Sequence, residues 1–71
     1  MTVLKQVRLS RRMTQLQVAS LLGITKRMYQ YLEASERFPS WKVAQRLEEV
    51  FKLPVGELLR QVEAKDERMV Q

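Results

Sequence analysis

Residues that break helices occupy only four positions of the chain, namely Gly23, Pro39, Pro54 and Gly56. The segments between them repeat apolar residues at intervals of three and four, which predicts amphipathic α-helices. No segment alternates apolar and polar residues for long enough to indicate a strand. A chain of 71 residues is enough for one domain, so we predict a single compact all-α domain.

Capping residues divide the chain into five predicted helices. The first covers about residues 3–12, and Thr14 and Thr25 are suitable N-caps for the second and third. Ser40 caps the fourth helix, and Pro54 begins the fifth, where its missing N–H has no structural cost. The fourth helix carries an apolar stripe that is expected to pack against the core: Trp41, Ala44, Leu47, Val50 and Phe51. The apolar positions of the fifth are Val55, Leu58, Leu59 and Val62.

The join between the second and third helices is the most specific local signal. Gly23 is a natural end for the second helix, and only Ile24 separates it from Thr25, the cap of the next. So tight a join makes the two helix axes cross steeply and leaves the third helix, about residues 26–34, protruding. The chain is therefore predicted to contain a helix-turn-helix at helices 2 and 3.

Composition narrows the possible functions. The chain has no cysteine and no histidine, which excludes disulfides, Cys/His zinc sites and histidine-based catalysis. Its acidic residues lie near no nucleophile, metal ligand or phosphate loop, so we predict no enzyme activity, cofactor, metal or small-molecule substrate. No apolar run approaches the roughly 20 residues of a membrane span, and no signal peptide is evident, so a cytoplasmic protein is expected. The domain is expected to cover residues 1–62, with residues 63–71 extending the last helix or fraying.

Charge is distributed unevenly along the chain. Residues 1–46 carry nine cations and two acids, whereas residues 47–71 carry four cations and six acids. A basic front and a mildly acidic back indicate a polyanion partner that binds one side of the domain. The alternative is an ordinary solvated basic surface.

The third helix indicates where such a partner would bind. Tyr29 and Leu32 lie three residues apart and are expected to anchor this helix to the core, while its opposite face lacks acidic residues. A helix fits the major groove of double-stranded DNA, where Lys or Arg can donate to guanine and Gln can bond an adenine edge. The alternatives are solubilising charges and, for the second tyrosine, a ring that covers helix packing. The predicted base-reading residues are Lys26, Arg27, Met28, Gln30 and Tyr31.

These features together resemble the phage-repressor/Cro-like (XRE-type) helix-turn-helix family. The residues that carry the resemblance are Leu4 and Arg8, Met13-Thr14-Gln15, Val18-Ala19, Leu22-Gly23-Ile24-Thr25, Leu32-Glu33, Pro39-Ser40, Leu47, Phe51 and Glu57-Leu58-Leu59. The resemblance implies a five-helix DNA-binding domain. It also implies that Arg8 and Glu33 form a partly buried salt bridge between the first and third helices.

By position, the resemblance implies further contacts to DNA phosphates. The residues expected to make them are Gln15, Thr25, Arg37 and Ser40, and Arg12 and Ser35 complete the predicted phosphate-contact set. The chain departs from the family pattern at three positions where glycine is common. Arg12, Ser35 and Lys52 stand there, and the changes at Arg12 and Ser35 are expected to alter the ends of the preceding helices.

The leading functional hypothesis is a sequence-specific transcriptional regulator, by default a repressor, from a bacterium, phage or mobile element. The fifth helix has more apolar residues than one small core can absorb, which predicts a homodimer on a near-palindromic operator. The predicted dimer interface is Val55, Leu58, Leu59 and Val62. The alternative is an antitoxin-like interaction module with secondary DNA binding, although few residues follow the domain.

Overall fold

The computed structural model describes residues 1–62, and the prediction for residues 63–71 lies outside this range. The described chain contains five α-helices: α1 Val3–Ser10, α2 Gln15–Leu22, α3 Lys26–Glu33, α4 Trp41–Phe51 and α5 Val55–Leu58. The predicted all-α, five-helix fold with a helix-turn-helix at α2 and α3 is confirmed. Between residues 1 and 62, no helix is long and apolar enough to span a membrane.

The N-caps form at the predicted residues. The hydroxyls of Thr14, Thr25 and Ser40 each accept a hydrogen bond from a backbone N–H in the first turn of α2, α3 and α4. Thr2 does the same for α1 and is fully buried. Its hydroxyl also donates to the carbonyl of Glu33 at 3.1 Å, which ties the start of α1 to the end of α3.

The fifth helix is shorter than predicted, because it ends at Leu58. The chain then runs antiparallel to the N-terminus: the Val3 N–H donates to the Arg60 carbonyl at 2.9 Å, and the Val62 N–H donates to the Met1 carbonyl at 2.7 Å. Backbone hydrogen bonds between residues 60–62 and residues 1–3 therefore take the place of the intrahelical bonds that would have extended α5.

The core is built from one face of each helix. Its fully or almost fully buried residues are Leu4, Val18, Ala19, Leu22, Tyr29, Leu32, Leu47, Phe51 and Leu58. The expectation that Trp41 packs against this core is wrong, since its side chain is 68% exposed. The inner face of α4 follows Val43, Leu47 and Phe51 at four-residue spacing. Trp41 precedes Val43 by two residues, which places it on the other side of the helix.

Three non-glycine residues adopt the left-handed conformation just after a helix. They are Arg12, Ser35 and Lys52, with φ angles of 58°, 61° and 59°. After α3, for example, the Ser35 N–H donates to the backbone carbonyl of Leu32 at 3.2 Å, and the Glu36 N–H donates to the backbone carbonyl of Tyr31 at 2.9 Å. The helices thus end as glycine-terminated helices do, although the residues present are disfavoured in this conformation.

Candidate nucleic-acid interface

The turn between α2 and α3 is set by Gly23. Its φ of 73° and ψ of 30° are left-handed, and its N–H donates to the Ser20 carbonyl at 3.2 Å. The next N–H, of Ile24, reaches back to the Ala19 carbonyl at 3.0 Å. These two bonds satisfy the last carbonyls of α2 and turn the chain directly into the Thr25 cap of α3. The turn therefore fixes the direction in which α3 leaves the domain.

The α3 helix has a buried face and an exposed basic face. Tyr29 and Leu32 are 0% and 1% exposed, so they anchor the helix to the core. The predicted base-reading residues other than Tyr31 are exposed: Lys26, Arg27, Met28 and Gln30. The only acidic residue of α3 is Glu33, which is buried. The exposed face is consequently cationic, with a helix N-terminus that adds its partial positive charge.

Tyr31 differs from its neighbours because it is half-buried. The guanidinium carbon of Arg37 lies 5.0 Å from the centroid of its ring, within the range of a cation–π contact. Arg37, predicted to contact phosphate, thus also covers the outer face of Tyr31. The two predicted DNA contacts are coupled through this stacking.

A buried polar cluster supports α3 from behind. Arg8 Nε contacts Glu33 Oε2 at 2.5 Å, and the Tyr29 hydroxyl donates to the same oxygen at 2.7 Å. Gln15 Nε2 donates to Glu33 Oε1 at 3.0 Å. Burial alone would raise the pKa of Glu33, but the hydrogen bonds from Arg8, Tyr29 and Gln15 outweigh it and lower that pKa. Glu33 is therefore a buried carboxylate that joins α1, α2 and α3.

The predicted phosphate-contact residues lie in three kinds of position. Thr25 and Ser40 are N-caps, so their hydroxyl oxygens already accept backbone hydrogen bonds. Arg12 and Ser35 are exposed at the left-handed ends of α1 and α3, where the Ser35 hydroxyl accepts from Gln61 Nε2 at 2.7 Å. Gln15 is half-buried, with its amide in the cluster around Glu33. None of these side chains belongs to the core.

Arg11 has a structural role that the sequence analysis missed. Its guanidinium donates to the carbonyls of Val50 and Phe51 at 2.9 and 3.1 Å and lies 5.2 Å from the centre of the Phe51 ring. It therefore satisfies carbonyls at the end of α4, where a cation is also favoured by the helix dipole. No local signal could have revealed this contact, because the partners are about 40 residues apart.

The predicted dimer interface is only partly available to a second copy. Leu58 is fully buried in the core of its own protomer, which corrects its assignment to that interface. It lies on the inner face of α5, whereas Val55, Leu59 and Val62 are only half-buried. Phe38 was not singled out from the sequence, yet it is 87% exposed and lines a surface cavity together with Leu59.

Comparison with protein families identifies the family of the chain. A family model described as helix-turn-helix matches residues 4–58, which is well over half of the chain. No curated protein and no solved structure matches the chain significantly. The matched family consists of DNA-binding regulatory proteins that are typically not enzymes. Because this match covers α2, the Gly23 turn and the exposed basic face of α3, the chain belongs to the XRE-type, phage-repressor/Cro-like helix-turn-helix family of DNA-binding transcription regulators.

Proposed function

We propose that the protein is a cytoplasmic repressor of bacterial, phage or mobile-element origin that binds a near-palindromic operator as a homodimer. The observation that carries this proposal is the exposed face of α3, which presents Lys26, Arg27 and Gln30 without an acidic residue. An α-helix of this kind fits the major groove, where base edges present a distinct pattern for each base pair. The protein acts by occupying DNA, with no catalytic step.

Base reading and backbone contact are assigned to different parts of the surface. Lys26 and Arg27 lie in the first turn of α3, where a recognition helix reaches base edges. Arg12 and Arg37 follow α1 and α3, where a guanidinium can neutralise phosphates on either side of the groove. The hydroxyls of Thr25, Ser35 and Ser40 and the amide of Gln15 supply neutral contacts to the same strands.

The first experiment is selection of binding sites from a random duplex pool by the purified protein, near physiological salt. We expect two inverted half-sites whose centres are about 10–10.5 base pairs apart, because two symmetric recognition helices are one turn of DNA apart. Recovery of no motif, with binding to any duplex that weakens steeply with salt, would contradict the proposal.

Arg27→Ala is expected to reduce discrimination at one base-pair position of each half-site by about tenfold, since an arginine can donate two hydrogen bonds to guanine. Arg12→Ala removes the same charge from the phosphate-contact set and should weaken binding to all sequences alike. Competition binding against operators with single base-pair changes measures both effects. If the two variants gave the same uniform loss, Arg27 would not be a base reader.

The homodimer is supported by the half-buried Val55, Leu59 and Val62 together with the exposed ring of Phe38. Placing a lysine at position 59 puts a charge into this apolar surface, so Leu59→Lys should weaken dimerisation by about tenfold or more. Sedimentation equilibrium measures the dissociation constant, and thermal melting verifies that the variant folds. Leu16→Lys, at a 59% exposed leucine of α2, is the matched control. Equal dimerisation by both variants would place the interface elsewhere.

A further inference from the structure

An open cleft lies between the end of α1 and the outer face of α2. Its volume is about 620 Å³, and Arg11 and Arg12 line it together with exposed side chains of α2. Two of these side chains are leucines, Leu16 and Leu21, which are 59% and 52% exposed. Large apolar side chains that are exposed together in one cleft are typical of a surface that another molecule covers.

The arrangement of side chains in this cleft fits a second helix. Leu16 and Ser20 are four residues apart, as are Gln17 and Leu21, so the outer face of α2 carries two neighbouring rows of side chains. Such rows form the ridges and grooves into which the side chains of a packed helix fit. The amide oxygen of Gln17 accepts from the Thr14 N–H at 2.8 Å, which draws this side chain towards the start of α2. Ser20 is small, so an apolar side chain has room beside the two leucines.

The charge around the cleft favours an acidic partner. Arg11 and Arg12 are exposed at its edge, and residues 1–32 contain no Asp or Glu. The Arg11 guanidinium donates to the carbonyls of Val50 and Phe51, which leaves its other N–H groups for a carboxylate. Because these bonds already hold the guanidinium in place, pairing with a carboxylate costs it little further conformational entropy.

The same charge argues against other molecules that could cover the two leucines. A second copy docked symmetrically through this cleft would bring the arginines of both copies together. Double-stranded DNA would pair with the arginines but would place its charged backbone against the leucines. A helix that lies on an anionic membrane inserts a continuous apolar face, whereas Gln17 and Ser20 interrupt the outer face of α2.

We propose that the cleft between the end of α1 and the outer face of α2 is a docking site for an acidic amphipathic helix of a partner protein. The apolar residues of that helix, at spacings of three and four, pack against Leu16 and Leu21. Carboxylates beside its apolar stripe pair with Arg11 and Arg12. This inference goes beyond the proposed function, because it does not depend on DNA binding by α3.

The test is selection of binders to the purified full chain from a displayed library of helical peptides with randomised surface positions. The most enriched peptides are synthesised, and calorimetry measures their affinities for the protein. Leu21→Gln removes an apolar side chain from the cleft. Leu9→Gln is the matched control, because Leu9 is a 51% exposed leucine of α1 that does not line the cleft. Thermal melting verifies that both variants fold.

We expect enriched peptides to carry a net negative charge and large apolar residues at spacings of three and four. Leu21→Gln should weaken their binding by about tenfold, since a leucine side chain is no longer buried, and Leu9→Gln should leave it unchanged. Because Arg12 is also a predicted phosphate contact and Arg11 supports α4, the charge is tested on the peptide. Replacing its glutamates with glutamine should weaken binding by about threefold or more.

Three results would overturn the proposal. The first is a selection that enriches no peptides, or enriches peptides with lysine in place of the acidic residues. The second is equal binding of the enriched peptides to the wild type and to Leu21→Gln. The third is loss of self-association, or of binding to phosphatidylglycerol vesicles, in Leu21→Gln alone, which would assign the cleft to a second copy or to a membrane.

Discussion

Replacing Arg8 with methionine is expected to lower the free energy of unfolding at neutral pH by about 3–5 kcal/mol. The side chains of Arg8 and Glu33 are 9% and 5% exposed, so the change leaves a carboxylate buried without its cation. It also removes the donor to the Met13 carbonyl, at 2.8 Å, which holds the turn between α1 and α2. Urea denaturation followed by circular dichroism measures the loss.

The size of this effect should depend on pH. In the wild type the pKa of Glu33 lies below its ordinary value of 4.5, so the ionised carboxylate stabilises the fold above that pH. This contribution is lost as the pH falls through the lower pKa of the folded state. In Arg8→Met the cation no longer opposes burial, which raises the pKa of Glu33. The variant should therefore lose less stability than the wild type on acidification, and the difference between their free energies of unfolding should narrow as the pH falls from the raised pKa of Glu33 in the variant to its lowered pKa in the wild type.

Two controls separate this mechanism from a general loss of charge. Arg60→Met also breaks an ion pair, with Glu57, but those side chains are 59% and 43% exposed and stability should be essentially unchanged. The double variant Arg8→Met/Glu33→Gln removes the buried charge together with its partner. It should recover more than half of the stability lost in Arg8→Met. A double variant as unstable as the single one would show that packing of the Arg8 side chain, and not charge pairing, dominates.

Glycine at the three left-handed positions is expected to stabilise the protein, by about 2 kcal/mol in the triple variant. A non-glycine residue in this conformation lowers the free energy of unfolding by about 1–2 kcal/mol. Glycine avoids this cost, but the greater freedom that it gives the unfolded chain lowers the free energy of unfolding by about 0.5–1 kcal/mol. The net gain is thus about 0.5–1 kcal/mol at each of Arg12, Ser35 and Lys52. The three residues follow three different helices, so their effects should be nearly additive.

The single variants refine this expectation. Lys52→Gly should give a larger gain than Ser35→Gly, because the latter also loses the hydrogen bond from Gln61. Gly23→Ala is the inverse control, since φ is 73° and the new methyl group would lie 3.1 Å from the Arg46 guanidinium. It should destabilise by about 1 kcal/mol. Thermal or urea unfolding of these three single variants and of the triple variant measures these differences, and loss of stability on glycine substitution would contradict the argument.

Much of the fold could be predicted from the sequence because its signals are local. Thr14, Thr25 and Ser40 cap helices with their own neighbours, and Gly23 shapes a turn within a few residues of itself. The spacing of Tyr29 and Leu32 was sufficient to identify the buried face of α3. A prediction based on periodicity and capping succeeds when the residues that decide the structure are close together in the chain.

The features that the sequence did not reveal depend on distant contacts. Arg11 looks like one more surface cation until the end of α4 is placed beside it. Leu58 and Leu59 are equally apolar, and only the packing of α5 decides that the first is buried and the second half-buried. Trp41 was assigned to the core because it begins an apolar stripe, but the inner face of α4 starts at Val43. The interface with DNA remains a prediction for the same reason, because its partner lies outside the chain.

The pairing of the two ends of the domain has a consequence for synthesis of the protein. Thr2 bonds the last carbonyl of α3, and the Met1 carbonyl receives its hydrogen bond only from Val62. When α3 of a nascent chain has emerged from the ribosome, residues 60–62, which close this end of the domain, have therefore not yet emerged. Helices α1 to α4 can form and associate during translation, but Met1 and Val3 stay without their backbone partners until residues 60–62 emerge. A chain that stops before residue 60 would lack the backbone partners of Met1 and Val3, so the start of α1 would be held to the rest of the domain by the Thr2 hydroxyl without the antiparallel pairing.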